Sequence, residues 1–418
     1  MNTPVRPVAP QLSMTQVLVC GAAIVTLSMG IRHGFGLWLQ PITMERGWTR
    51  ETFAFALAIQ NLTWGVAGLF VGMVADRFGA YRVLLAGSLV YALGLATMAV
   101  AATPWAFTAS AGVLLGIAQA GTTYAVVYGV LGRNIDPARR SWAMGVTAAA
   151  GSFGQFLMLP VESALISGLH WGGIASPGVG WQNALFILAG LALLIMPLAA
   201  GLKEHPLAAS AAGAQQSIVQ ALREAFGYRS FQLLMAGYFV CGFQVVFIGV
   251  HLPSYLKDHG LTPQVATIAL ALIGLFNIVG TYAAGSLGQR YPKRHILSAI
   301  YVLRSIVIVA FLAAPLTAAS VYVFAALMGV LWLSTVPPTN AVVAQMFGLR
   351  HFSMLSGFIF LSHQLGSFLG AWLGGKLYDA TGNYDLVWGI AVALGVFAAV
   401  INLPVRETAI HRPTMAAA

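Results

Sequence analysis

Charge is the first thing this sequence is short of. Only 8% of its 418 residues are Asp, Glu, Lys or Arg, where a soluble domain carries roughly 25%. That is too little polar surface to cover a water-soluble particle of this size. Acids are the scarcest, 11 against 21 Lys and Arg, for a net charge of +10. The basic residues fall mostly in short loops and no basic patch is interleaved with aromatics, which argues against nucleic acid. The two cysteines, Cys20 and Cys241, lie inside apolar runs. They read as small buried hydrophobes and exclude a disulfide framework. No His/Cys spacing suits a metal, no Ser/His/Asp set or nucleotide loop appears, and no Walker sequence offers ATP drive. The chain therefore reads as neither an enzyme nor a holder of a metal or cofactor. A convincing A-x-A-like cleavage site is also missing, so the first apolar run is expected to stay as a helix.

What is abundant is oil and glycine. Hydrophobic residues make up 59% and glycines number 46, with a mean hydropathy of +0.82. A bilayer span needs roughly 20 apolar residues. Twelve such runs occur, at about 14–39, 51–75, 81–101, 105–131, 141–168, 181–201, 231–256, 262–287, 296–314, 319–345, 353–377 and 385–404. The fold class expected is an all-α membrane protein of twelve transmembrane helices. Its small residues would let helices approach where lipid supplies no hydrophobic drive for association. Residues 202–230, with Lys203, Glu204, Arg223, Glu224 and Arg229, form the longest polar stretch. Residues 168–180, GLHWGGIASPGVG, read as an extended external loop.

Lys and Arg set the orientation. With both termini inside, the cytoplasmic side receives Arg6, Arg77, Arg82, Arg133, Arg139, Arg140, Lys203, Arg223, Arg229, Arg290, Lys293, Arg294, Arg350, Arg406 and Arg412, 15 in all. The outer side receives 4: Arg46, Arg50, Lys257 and Lys376. The bias predicts cytoplasmic termini and, for a protein of this class, the cell's inner membrane.

The two halves of the chain repeat. GLWLQPITMERGWT (36–49) aligns with GVHLPSYLKDHGLT (249–262), and GMVADRFGAYR (72–82) with GSLGQRYPKRH (285–295), both at an offset of 213. SWAMGVTAAAGSFG (141–154) aligns with SMLSGFIFLSHQLG (353–366) at 212. A constant offset divides the chain into two pseudo-symmetric six-helix bundles, 1–201 and 231–418, joined by a cytoplasmic linker, 202–230. Repeat-built carriers place their substrate near the midplane between the repeats.

The stretch GMVADRFGAYR follows the second run and opens the third. Gly72 would permit a close helix contact, Asp76 and Arg77 could pair across a helix end, and Gly79 would permit a tight turn. The stretch resembles the G-x-x-x-D-R-x-G-x-R loop signature of the major facilitator superfamily. With twelve spans and the weaker second copy GSLGQRYPKR, the resemblance covers the whole chain. It implies a cytoplasmic latch for the outward-open state, with Asp76 as its carboxylate and Arg77 and Arg82 as partners. Gln289 stands where the second copy would need the acid.

Several ionisable groups sit inside the apolar runs. An arginine at the bilayer centre costs at least ~2.5–3.5 kcal/mol and usually faces a cavity or a partner. Arg32, in SMGIRHGFG, has no acid nearby, and of the eleven acids only Glu162 enters a span, toward the outer end of the fifth. A guanidinium fork matches a carboxylate, so an anionic substrate is the simplest partner; backbone carbonyls or snorkelling are the alternatives. His33 and His363 are candidates for proton coupling, since imidazole titrates near neutral pH, with a hydrogen-bonded core role as the alternative for His363. His251 reads as a rim residue and Arg304, in the ninth run, as structural. Tyr124 and Tyr128, one turn apart, could donate to an anion.

Within the superfamily, GIRHGFGLWLQPI (30–42), TTYAVVYGVLGRNIDPARR (122–140), PPTNAVVAQMFGLRHFSMLSG (337–357) and YDATGNYD (378–385) resemble the monocarboxylate transporter and oxalate/formate antiporter branch. The resemblance implies carboxylate contacts at Arg32, His33, Tyr124 and His363. One departure is plain: where the branch carries an arginine in the eighth helix this chain has Thr281, with Asn277 kept one turn earlier. Arg32 is then the natural replacement cation, helped by Asn277 and Thr281. The function expected is proton-coupled transport of a small organic anion by a monomer in the bilayer. A proton-driven multidrug or metabolite exporter using Glu162 is the alternative, and a non-transporting receptor on the same scaffold is a third possibility.

Overall fold

The computed structural model describes residues 12–136, 139–171, 174–204, 217–348 and 351–410. Arg6, Arg350 and Arg412 of the charge count lie outside the described residues, as do residues 205–216 of the polar stretch. The first span is two helices, α1 (Met14–His33) and α2 (Phe35–Arg46), meeting at Gly34. The other spans of the first half are α3 (Arg50–Phe78), α4 (Ala80–Val100), α5 (Pro104–Asn134), α6 (Arg140–Ser167) and α7 (Trp181–Ala200). The second half holds α9 (Arg229–Asp258), α10 (Pro263–Arg290), α11 (Lys293–Ala313), α12 (Ala318–Phe347), α13 (Phe352–Thr381) and α14 (Asp385–Asn402).

Among the described residues, eleven of these stretches are long and apolar enough to cross a bilayer. The remaining one, α13, is a thirty-residue helix whose apolar run is diluted by Ser362, His363, Gln364 and Ser367. It completes the expected set of twelve. Two connections depart from the sequence reading. The polar stretch contains an amphipathic helix, α8 (Ile218–Gly227), started by a reciprocal cap between Ser217 and Gln220. The loop after α6 is not wholly extended: Leu169–Trp171 (β1) and Ile174–Ser176 (β2) pair antiparallel as a short hairpin. Gly168, at φ +90°, turns the chain into it.

Two large apolar cores form among the described residues, beside a small cluster of Ala284, Ile300 and Leu331. One gathers buried side chains from Val17 to Leu202 and the other from Ala225 to Val405. They trade a few residues where the halves touch: Val246, Val250 and Ala371 join the first core and Leu159 the second. Glycine sets the closeness of the helices. A Cβ at Gly366 or Gly370 would run into the carbonyls of Phe239 and Phe243 on α9, and one at Gly154 into the carbonyl of Thr26 on α1. This is the packing expected where helices associate without hydrophobic drive.

Four spans are broken among the described residues; α7 is interrupted by a single turn residue at Leu194, three before Pro197. At Gly34 the chain makes one tight turn, with the Leu37 N–H donating to the Gly34 carbonyl (2.8 Å). In α5 a π-helical turn, Thr108–Leu114, is followed by an extended residue at Thr123. There the hydroxyls of Thr122 and Thr123 donate back to Ala118 and Gln119 (2.8 and 2.7 Å), competing with the helical ladder. In α12 the helix stops at Leu331 and restarts at Val336, on Pro337 and Pro338. The last two breaks sit at equivalent repeat positions, since 335 − 123 = 212.

The α12 break frees carbonyls in the interior, and Arg304 takes them. Fully buried on α11, it donates from Nε (3.0 Å) and Nη2 (2.6 Å) to the Leu331 carbonyl, and also from Nη2 to that of Trp332. Its Nη1 reaches Gln244 Oε1 (3.3 Å). A cation at the C-terminal end of a half-helix also opposes its dipole. The structural reading of Arg304 therefore holds. Arg304→Leu, of similar bulk, leaves two carbonyls unpaired at about 1–3 kcal/mol each. It is expected to lower the thermal unfolding midpoint of the purified protein clearly, while Arg223→Leu on exposed α8 leaves it unchanged.

Candidate functional site

Between the halves lies a central cavity of about 30 Å³. Its wall includes Arg32, His33 and Gly36 from the first span, Gln60 and Asn61 from α3 and Gln155 from α6. Val246, Gly249 and Val250 from α9, Leu270 from α10 and Trp332 from the α12 break complete it. Such a volume holds a water or two, so an organic solute needs the walls to part.

Arg32 is half-buried here and, among the described residues, its charge meets no carboxylate. Nη2 donates to Asn61 Oδ1 (2.5 Å), the guanidinium lies over the Trp64 ring at 4.8 Å, and buried Nε has no hydrogen-bond partner among those residues. Asn61 is aimed by its own amide, which donates to the Leu57 carbonyl one turn back (2.8 Å). His33 donates from Nδ1 to the Met29 carbonyl (2.7 Å).

The other residues singled out in the sequence divide. Tyr124 stacks near Tyr128, with ring centroids 5.4 Å apart, but the Tyr128 hydroxyl donates to the Met144 carbonyl (3.2 Å). Asn277 joins the halves and braces the α12 break: its amide nitrogen donates to Ser152 on α6 of the first half (2.9 Å), and its oxygen accepts from the Leu333 N–H (2.9 Å). Thr281 donates to that same oxygen (3.1 Å). His363 is buried in the second half beside Tyr238 and Phe360, with Nδ1 near Gln364 and Ser367; it does not line the cavity. His251 is no rim residue. It is buried, with Nε2 donating to the Ala371 carbonyl (2.8 Å) and Nδ1 against the Tyr384 hydroxyl (3.3 Å). In the loop signature, Gly79 turns the chain at φ +89° as expected. Arg77 and Arg82 are exposed, and the side chain of Asp76 lies outside the described residues. The helix contact expected at Gly72 is not made: a Cβ there would meet open space, because no neighbouring helix reaches that face of α3 in this conformation.

The sequence reading missed Gln60, Asn61 and Trp64. The signal was available, since a Gln-Asn pair inside the second apolar run is as anomalous as Arg32 itself. It also missed how one end of the molecule is closed. Arg50, at the start of α3, grips Asp258, at the end of α9, with two hydrogen bonds of 2.6 Å, and donates to the Tyr384 hydroxyl at 2.9 Å. Asp379, at the end of α13, accepts from the free backbone N–H groups of Arg50 (3.2 Å) and Glu51 (2.6 Å). It thus caps α3 from the opposite half. Glu51 in turn accepts from Trp372 Nε1 (2.9 Å). Burial pushes the Tyr384 phenol up, against the pull of Arg50, so it stays a neutral hydroxyl. Cross-half hydrogen bonds continue inward through Thr267–Ser163 and Gln155–Leu270 to Asn277–Ser152.

Comparison with known proteins agrees with this architecture. The family described as the Major Facilitator Superfamily matches residues 18–359 and 234–418. The chain is 24% identical over 388 residues, 89% of its length and 90% of the other's, to the uncharacterized MFS-type transporter YcxA of Bacillus subtilis. It is 26% identical over 329 residues to monocarboxylate transporter 13 of Bos taurus (77% and 72% of the two chains). With the multidrug resistance protein MdtH of Cronobacter sakazakii the identity is 23% over 366 residues (84% of each). Its fold matches a bacterial homolog of the human lysosomal transporter Spinster, solved inward-facing and occupied, with a TM-score of 0.73 at 15% identity over 98% of both chains.

Removing the Arg50–Asp258 grip is expected to weaken closure at that end by about 1.5–3 kcal/mol, roughly a ten- to hundredfold shift toward the open form. The measurement is maleimide labelling of Val246→Cys in a chain carrying Cys20→Ser and Cys241→Ser. Arg50→Ala and Asp258→Ala should each speed labelling from the Arg50 side. Unchanged labelling would mean that the grip does not control access.

Proposed function

The chain belongs to the Major Facilitator Superfamily, and from that premise we propose that this multi-pass membrane transporter carries a small, monocarboxylate-like organic anion together with a proton, by alternating access. One observation carries the reading: Arg32 stands in the cavity between the halves with a spare Nε, one neutral hydrogen-bond partner and no counter-ion. A carboxylate arriving there would complete the fork. Tyr124, whose hydroxyl has no protein partner among the described residues, lies outside the cavity wall in this conformation and adds a donor once the cavity widens, and His33, on the wall, exchanges a proton with the cavity. Similarity to a protein named as a monocarboxylate transporter supports the same substrate class.

In this proposal the halves 1–201 and 231–418 rock about the 202–230 linker. The charge bias puts the termini in the cytoplasm and the Arg50 gate outside, in the cell's inner membrane. The conformation described is then closed to the outside. Gly72, Asp76, Arg77, Gly79 and Arg82 form the latch of the opposite state, consistent with the open space at Gly72. Asn277, Thr281, Tyr128 and His363 stand behind the cavity wall in this conformation, with their polar groups bonded to protein; in this proposal they support the site rather than touch the anion. A second reading, a proton-driven exporter, is supported by the likeness to a multidrug resistance protein and by the carboxyl of Glu162 inside a span.

A thermal-shift screen of the purified protein against mono- and dicarboxylates identifies the anion, and liposome counterflow then measures transport. Arg32→Ala is expected to lower affinity roughly ten- to hundredfold, the loss of a charge-assisted bond worth about 1.5–3 kcal/mol, with the protein still in the membrane. Arg32→Lys should recover only part of it. Undiminished uptake by Arg32→Ala would remove that residue from the site. Resistance to cationic dyes in expressing cells, without carboxylate binding, would favour the exporter.

A further inference from the structure

The wall of the central cavity divides by chemistry along the boundary between the halves. Its charged and amide side chains all stand on the first half: Arg32 and His33 on α1, Gln60 and Asn61 on α3, and Gln155 on α6. The second half faces them with Val245, Val246, Gly249 and Val250 of α9, Leu270 of α10 and Trp332. Among those side chains the one polar group is the indole N–H of Trp332, which is buried and has no hydrogen-bond partner among the described residues. It is a donor without charge. Phe35 and Leu57 add some apolar surface to the first half.

No cation backs the second wall. Arg304 spends its donors on the α12 break, Thr281 donates to Asn277, and His363 stands among Tyr238, Gln364 and Ser367. No described Lys, Arg or His of the second half lines the cavity. Nor does the division depend on the closed conformation. When the halves rock apart, each face travels with its own half, so a solute between them meets charge and hydrogen bonds on one side and carbon on the other. The carbon side is also relieved at one point. A Cβ at Gly249 would meet only Trp332 Cζ2, at 3.9 Å, so glycine keeps open a shallow slot beside the indole.

We propose that the solute is an amphipathic monocarboxylate: its carboxylate rests on Arg32 and the first half, and its apolar chain lies against Val246, Val250, Leu270 and Trp332. Each methylene laid on that face leaves water and adds affinity. A second carboxylate at the far end of the chain is rejected, because it would be buried against carbon with no cation to pair it. The second half is then the side that measures the tail. This rests on the reading of Arg32 as the anion's contact, and its test separates the two.

The measurement is isothermal titration calorimetry of the purified protein, at one pH, with straight-chain acids from propanoate to hexanoate and with adipate, which matches hexanoate in length but carries an acid at both ends. Affinity is expected to rise about fourfold per methylene, and adipate to bind at least about a hundredfold more weakly than hexanoate. A flat series, or adipate equal to hexanoate, overturns the apolar face and leaves the Arg32 site standing. Binding of none of these acids overturns both. Gly249→Ala adds one methyl at ordinary contact distance from Trp332 and should cut the ratio of hexanoate to propanoate affinity several-fold. An unchanged ratio in that variant places the tail elsewhere and also overturns the proposal.

Discussion

The structure depends on how a cation is held where there are almost no anions to hold it. Two arginines enter the apolar interior and meet opposite fates. Arg304 is saturated by carbonyls that a broken helix cannot use, so the charge and the break stabilise each other. Arg32 has one amide oxygen, an aromatic face and an unpaired nitrogen. The same side chain is mortar in one half and an unfinished contact in the other. That difference is what separates scaffold from site, and it could arise only in a sequence too poor in acids to neutralise both.

Much of the fold was legible because a bilayer imposes length and composition on every span. The twelve runs, the repeat and the loop signature are all one-dimensional signals, and they mapped onto the helices to within a few residues except at the ends of the first span. The breaks were less legible. Pro337 and Pro338 announce one, but Thr123 breaks α5 through hydroxyls that compete with the backbone, and such competition is decided by the surroundings. The hairpin after α6 depends on strand pairing that glycine content alone does not reveal.

The site was half legible. Arg32 could be found because a charge in an apolar run is conspicuous on its own. The Gln60–Asn61 pair was conspicuous on the same ground, but that Asn61 meets Arg32 is set by how α3 crosses the first span. Asn277 looked like a ligand in the sequence and is a brace in the structure: its oxygen closes the α12 break, a use that no local pattern encodes. The gate was invisible for the same reason. Arg50, Asp258, Asp379 and Tyr384 are ordinary loop-end residues until four helices bring them together.

The paired breaks in α5 and α12 are not equally braced. The α12 break is riveted from two directions, by Arg304 on α11 and Asn277 on α10. The α5 break is held by threonine hydroxyls turned back on their own helix and by one hydrogen bond between Thr122 and Ser28 on α1 (2.9 Å). A pseudo-symmetric molecule thus has one elbow braced by an arginine and an asparagine and one braced by hydroxyls alone. In the proposed carrier cycle, bending is expected at the α5 elbow, next to Tyr124, while the α12 elbow stays fixed.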